Sequence, residues 1–280
     1  MSMPAADHRP PQRRRTLAAL VLLGLAAALP ILLSPGGRSA GAAIDRCAVP
    51  DELAALSAPL PHTALRRKTG GPLTIVAFGS SSTEGYGATR PEASYPSRLA
   101  ALLHAQYPRV AIRVVNRGVS GEMAPEMLAR LDRDVLAEKP DLVIWQLGTN
   151  SVLHDIDPAN EIDMARLGIA RIKAAGADVM LMDLQYAPAV LLHPGYREML
   201  RVLAAVAGSA DVPLIRRFGM MRHWAEDGNM SLRVMLASDR LHMSDASYDC
   251  LARQVAQSIA ASGEEPSVAL AEPPSSSPAQ

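Results

Sequence analysis

The chain has 280 residues, 49% of them hydrophobic, and its 28 Lys and Arg balance 28 Asp and Glu. Five of the basic side chains (Arg9, Arg13, Arg14, Arg15, Arg38) and one acidic one (Asp7) fall in the first 42 residues, which leaves a body with 23 basic and 27 acidic groups. A mildly acidic body speaks against nucleic acid as a partner, and roughly 220 residues between the two ends suffice for one α/β domain with a sizeable core.

Arg13-Arg14-Arg15 precede an apolar run from Leu17 to Leu33, broken only by Gly24 and Pro30. Ser34-Pro35-Gly36-Gly37 and the small residues Ala40-Gly41-Ala42 follow. That is the order of a secretory signal, although the run is long for one and slightly short for a spanning helix. Residues 1–42 are therefore expected to be a cleaved signal peptide or a retained N-terminal membrane anchor. The arginines stay cytoplasmic, so the body is expected to be exported, periplasmic or extracellular. The twin arginines also allow a Tat signal, which their neighbours match weakly. Arg46 precedes Cys47 and no lipobox-like triplet stands before it, which argues against a lipoprotein. Residues 43–72 read as a leader or linker. Cys47 and Cys250 are the two cysteines. In an oxidising compartment they are expected to pair; the alternative is two buried thiols.

Asp51 to Ser57 reads as a short helix ended by Pro59 and Pro61, and Arg66 to Gly71 as a solvated basic turn. Leu73 to Phe78 reads as a buried strand. It breaks at Gly79 into Ser80-Ser81-Ser82-Thr83. These residues either cap the next helix or present a serine nucleophile at a strand end. Ser94-Tyr95-Pro96 opens a helix with Leu99, Leu102 and Leu103 on one stripe. Val110 to Val115 is a second strand, followed by the loop Asn116 to Gly121 and a helix bearing Met127, Leu128, Leu131 and Val135. Asp141 to Leu147 is a third strand, apolar enough to be covered on both faces, and ends in Gly148-Thr149-Asn150. A helix over about 161–174, a strand Asp178 to Asp183, a helix over about 196–207 and a strand Val212 to Ile215 follow. Two short helical pieces, a loop Ser238 to His242 and a helix over about 245–261 complete the body. From Ser262 onward Pro, Ser, Glu and Ala predict a disordered tail. Five alternations of strand and helix predict a three-layer α/β/α sandwich around a five-stranded, mostly parallel sheet.

Parallel strands carry their carboxyl-end loops to one edge. Ser81, Gly121, Asn150 and the pair Asp239 and His242 are thereby expected to converge. Here the chain resembles the SGNH (GDSL-like) hydrolase superfamily, with its flavodoxin-like fold. The four blocks stand in order: Gly79-Ser80-Ser81-Ser82-Thr83, Gly118-Val119-Ser120-Gly121, Gly148-Thr149-Asn150 and Asp239-Arg240-Leu241-His242. The resemblance spans Leu73 to Ala261, with Ser80 standing where the namesake motif has Asp. A serine hydroxyl needs a base to take its proton. His242 suits that task, and Asp239, three residues earlier, can accept from the other imidazole nitrogen. The resemblance implies an oxyanion hole of the Ser81 and Gly121 main-chain N–H groups and the Asn150 amide.

Gln185 and Tyr186, at the end of the fourth strand, either line the acyl or alcohol side of the substrate site or form a structural loop pinned by Pro188. Trp145 reads as core. Met220, Met221, Met230 and Met235 are either core filler or an apolar wall. The remaining histidines read as structural. No metal-ligand spacing and no glycine-rich phosphate loop is present, so neither a metal nor a cofactor is expected. The implied function is an exported serine esterase working through an acyl-enzyme, expected to be a monomer. Its ester substrate is a small molecule or an acylated glycan, with O-acetyl groups on envelope or extracellular polysaccharide first and lipid esters or thioesters second. Two Phe and two Trp offer no evident aromatic platform for a sugar. An acyltransferase and a non-catalytic glycan-binding scaffold are the rival readings.

Overall fold

Residues 45–227 and 230–262 are described by a computed structural model. The expected signal or anchor, and the expected tail after Ser262, lie outside the described residues. Two short helices, α1 (Asp51–Ala54) and α2 (Pro61–Thr69), lead into β1 (Leu73–Gly79), the helical turn α3 (Ser81–Glu84) and α4 (Tyr95–Gln106). Then come β2 (Ile112–Gly118), α5 (Ala124–Ala129), α6 (Leu131–Asp134), β3 (Leu142–Gln146), α7 (Thr149–Leu153), α8 (Pro158–Ala174) and β4 (Asp178–Met182). The chain continues through α9 (Pro188–Leu191), α10 (Tyr196–Ser209), β5 (Leu214–Ile215), α11 (Arg217–Glu226), α12 (Leu232–Met235) and α13 (Asp245–Ala261).

The strands form one sheet in the order β2-β1-β3-β4-β5, and every pair is parallel. α4 and α13 pack together, and α8 packs with α5 and α10, completing the three-layer α/β/α sandwich. All of β3 and β4 is buried, as two covered faces demand. Trp145 is core, its ring 5.6 Å from that of Phe78. Met220, Met221, Met230 and Met235 are all buried in that core too, which decides between the two readings of the methionines. Sheet order reverses direction between β1 and β3. Loops leaving those two strands diverge there and open a crevice at the carboxyl edge.

Several boundaries differ from expectation. β2 begins at Ile112 and runs to Gly118, because it pairs with β1 residue for residue from Leu73↔Ile112 to Gly79↔Gly118. The helix expected around 127–135 breaks at Arg130 into α5 and α6. Residues 66–69, read as part of a basic turn, are instead the last turn of α2. Pro61 starts that helix at a position where its missing N–H costs nothing, and Gly70 ends it at φ +70°. The segment read as a leader also packs on the body. Leu60 and Thr63 are buried, and the Asp178 carboxylate accepts from the Thr63 main-chain N–H and hydroxyl, each at 2.8 Å. Cys47 and Cys250 are joined by a disulfide across a separation of 203 residues. Beside it, Trp224 Nε1 and Gln254 Nε2 both donate to the Cys47 carbonyl. Among the described residues no helix is long and apolar enough to cross a membrane.

Candidate active site

The end of β1 turns sharply into α3, and Gln146, the last residue of β3, fixes that turn. Its Oε1 accepts from the Ser80 N–H at 2.9 Å and the Ser80 hydroxyl at 3.1 Å. Ser80 thus makes local hydrogen bonds where the namesake motif carries Asp. Ser81, the first residue of α3, is 8% exposed, and its Oγ lies 2.7 Å from His242 Nε2. The other imidazole nitrogen, Nδ1, lies 2.6 Å from Asp239 Oδ2. Asp239 Oδ1 accepts the Leu241 and His242 main-chain N–H groups, both at 3.0 Å. Partial burial raises the Asp239 carboxyl, but the hydrogen bonds from Leu241 and His242 outweigh it and leave the group below its usual value. It is thus an anion, which holds Nδ1 protonated and leaves Nε2 free to accept from Ser81.

Asn150 sits in the first turn of α7. One hydrogen of its amide goes to the Glu122 carbonyl at 2.9 Å, which leaves a second to donate. Glu161 clamps that turn, although it is buried: its carboxylate accepts from the Gly148 N–H at 2.9 Å and the Ser151 hydroxyl at 2.7 Å. Burial pushes its pKa up against those two bonds. Gly121, at φ +82°, precedes Glu122. Among the described residues the main-chain N–H groups of Ser81 and Gly121 have no acceptor. Arg130 braces this loop from below. Its Nε bonds Glu122 Oε2 at 2.7 Å, its Nη2 bonds the Arg117 and Gly79 carbonyls, and its guanidinium lies over the Phe78 ring.

Ser81, His242 and Asp239 therefore form one hydrogen-bonded chain, and Gly121 and Asn150 meet at Glu122. The other two residues singled out do not touch Ser81. Gln185 is buried, accepts from the Ser82 hydroxyl at 2.5 Å and donates to the Leu241 carbonyl at 3.1 Å. It ties the Ser81 turn to the histidine loop, which is the structural reading. Tyr186 bonds Glu226 through its hydroxyl and packs edge-on against Phe218. Sequence reading missed Gln146, Glu161, Arg130 and Tyr86, whose ring lies 4.5 Å from that of His242. Gln146 carried a signal, a polar residue closing an apolar strand. Arg130 carried none, since a charge on a helical pattern reads as solvent-facing. No group of three or more His, Cys, Asp or Glu side chains among the described residues is placed to hold a metal.

A family model described as the Non-GDSL lipase-like family matches residues 46–265. Acetylxylan esterase of Geobacillus stearothermophilus is 36% identical over 99 residues, 32% of this chain and 45% of that enzyme. The chain thus spans under half the length of that relative. Esterase TesA of Pseudomonas aeruginosa is 31% identical over 144 residues, 51% of this chain and 67% of that one. A crystal structure of a two-domain esterase active on acetylated mannans superposes with a TM-score of 0.64 at 18% identity. It covers 81% of this chain and 60% of that one, a likeness of fold. A match across nearly the whole described body, carrying the four blocks on one sheet edge, places this chain in the Non-GDSL lipase-like family, within the SGNH hydrolase superfamily.

Proposed function

We propose that the chain is a serine esterase that cleaves carboxylic esters through an acyl-enzyme. The Ser81–His242–Asp239 hydrogen-bonded chain carries this reading. Ser81 Oγ attacks the ester carbonyl as its proton passes to His242 Nε2. Asp239 stabilises the imidazolium, and the histidine then gives that proton to the leaving alkoxide. Water, deprotonated by the same nitrogen, releases the acid and restores Ser81. The N–H groups of Ser81 and Gly121, with the free Asn150 amide hydrogen, are the donors for the oxyanion. Losing one such donor costs about 10²–10³ in rate. O-acetyl groups on envelope or extracellular polysaccharide are the proposed substrates, supported by relatives named as acetylxylan and acetylated-mannan esterases. Export is proposed with it, on the apolar segment behind Arg13-Arg14-Arg15 and the Cys47–Cys250 pair.

Hydrolysis of 4-nitrophenyl acetate and of longer-chain esters tests the reading, with Ser81→Ala beside the parent. Turnover is expected to fall at least about 10³-fold in the variant, with acetate preferred over long acyl chains. Equal rates in both proteins would move the nucleophile elsewhere. A folded parent that turns over nothing, and is not labelled at Ser81 by a phosphonate, would support a scaffold instead.

A further inference from the structure

Among the described residues, Tyr86 is the one large aromatic side chain that stands exposed beside the reacting groups. It is 56% exposed, and its ring lies 4.5 Å from the His242 ring at an interplanar angle of 50°. Its backbone is pinned from three sides. Its N–H donates to the Ser81 carbonyl at 2.9 Å, and its own carbonyl accepts from the buried Tyr248 hydroxyl at 2.8 Å. Gly87, next in the chain, sits at φ +89°, where a Cβ would stand 2.6 Å from the Met243 carbonyl and 3.0 Å from His242 Cβ. The backbone that carries the ring is thus held at the site, with the ring against His242.

The same ring forms one wall of an open cleft of about 470 Å³. The cleft runs from Tyr86 along Gly87 and Ala88 to Ser238, Asp239 and Ser244. Its lining combines the small residues Gly87, Ala88, Ala237 and Ala246 with the hydroxyls of Thr89, Ser238 and Ser244 and the carboxylates of Asp239 and Asp245. No long aliphatic side chain lines it to wall a long acyl chain. It does have hydrogen-bonding groups for a polyhydroxylated ligand, and a flat aromatic face for the apolar face of a pyranose. Asp239 and Asp245 both border it, so a sugar bearing its own carboxylate would meet like charge there.

We propose that the Tyr86 cleft is the subsite for the sugar that bears the ester, and that it takes a neutral pyranose stacked on the Tyr86 ring. The inference rests on the esterase reading and names its substrate class. The cleft adjoins the site through Asp239 and through the Tyr86 ring, which packs on His242, so a sugar stacked there would lie beside the hydrogen-bonded chain that ends at Ser81. A backbone held by the Ser81 carbonyl and the Tyr248 hydroxyl needs little reordering to present that ring.

The full-length chain carrying Ser81→Ala lacks the proposed nucleophile, so binding can be read apart from turnover. Its affinity for an acetylated neutral xylo-oligosaccharide is read by calorimetry, with Tyr86 intact, as Tyr86→Phe and as Tyr86→Ala. Affinity is expected to fall about tenfold with Ala and to stay within about threefold with Phe, which keeps the ring face. Oligogalacturonate is expected to bind more weakly than the neutral sugar. Equal affinity in the Tyr and Ala forms, or no sugar binding by Ser81→Ala itself, overturns the proposal. So does a chain with Ser81 intact in which Tyr86→Ala loses as much kcat/KM on 4-nitrophenyl acetate as on the oligosaccharide. The ring would then serve only to hold His242. A parent that hydrolyses no ester, yet binds sugar through Tyr86, would sink the esterase reading and leave the sugar subsite standing.

Discussion

Asp183 follows β4 and is buried, with its Oδ1 accepting from the Phe218 N–H at 2.9 Å. Burial pushes its carboxyl up to about 7, and that hydrogen bond and the charge of Arg217 only partly offset the rise. A carboxyl that holds its proton more tightly when folded favours the folded state below its unfolded pKa of about 4. That advantage is lost as pH rises through the folded value. Asp183→Asn keeps the acceptor for Phe218 and removes the titration. Urea midpoints of parent and variant are therefore expected to diverge between pH 4.5 and 7.5, the variant losing less stability as pH rises. Parallel curves would mean that Asp183 is ionised throughout. None of this was legible in the sequence, where Asp183 was simply the polar end of a strand. Ser81, Asn150, Asp239 and His242 were legible because each is a chemically distinctive residue on a loop, in a fixed order. Gln185 was half legible. Its place at a strand end was evident, but a buried amide bridging Ser82 and Leu241 requires knowing which loops lie opposite it.

Helix α2 shows the same limit for a whole element. Arg66, Arg67 and Lys68 disguise a helix because its stabilising partner lies 115 residues away. The Asp178 carboxylate, at the start of β4, accepts from the Thr63 N–H and hydroxyl at 2.8 Å and from the His62 N–H at 3.3 Å. It satisfies first-turn donors that no side chain at Leu60 can reach. The negative charge also suits the amino end of the helix. Strands, by contrast, were legible because their apolar runs are local: β1, β3 and β4 begin and end within two residues of expectation. Asp178→Ala removes the cap and leaves the buried Thr63 hydroxyl without a partner. It is expected to cost about 2–4 kcal/mol, with amide exchange in α2 rising before that in β3. Unchanged protection of α2 would show that Leu60 and the neighbouring chain hold the helix without the carboxylate.

At the scale of the molecule, the chain closes on itself. The first described turn is bonded to the last helix through Cys47–Cys250, and Trp224 and Gln254 hold the Cys47 carbonyl at the same point. α13 also begins three residues after His242, so the element that receives the disulfide abuts the Asp239–His242 loop. A crosslink closing so long a loop chiefly restricts the unfolded chain, and removing one of this kind costs about 2–5 kcal/mol. For a domain of this size that corresponds to a Tm lower by roughly 5–15 °C. The reduced protein is expected to melt that much earlier, and Cys250→Ser is expected to match it and to be insensitive to reductant. If the proposed export is right, the bond forms only after the body leaves the cytoplasm. Protein expressed with residues 1–42 is then expected to be oxidised. Protein made without them and kept in the cytoplasm is expected to carry two reactive thiols when unfolded and to melt with the reduced form. Identical thiol counts and melting in both preparations would detach the disulfide from any argument about location, while leaving its role in closing the fold intact.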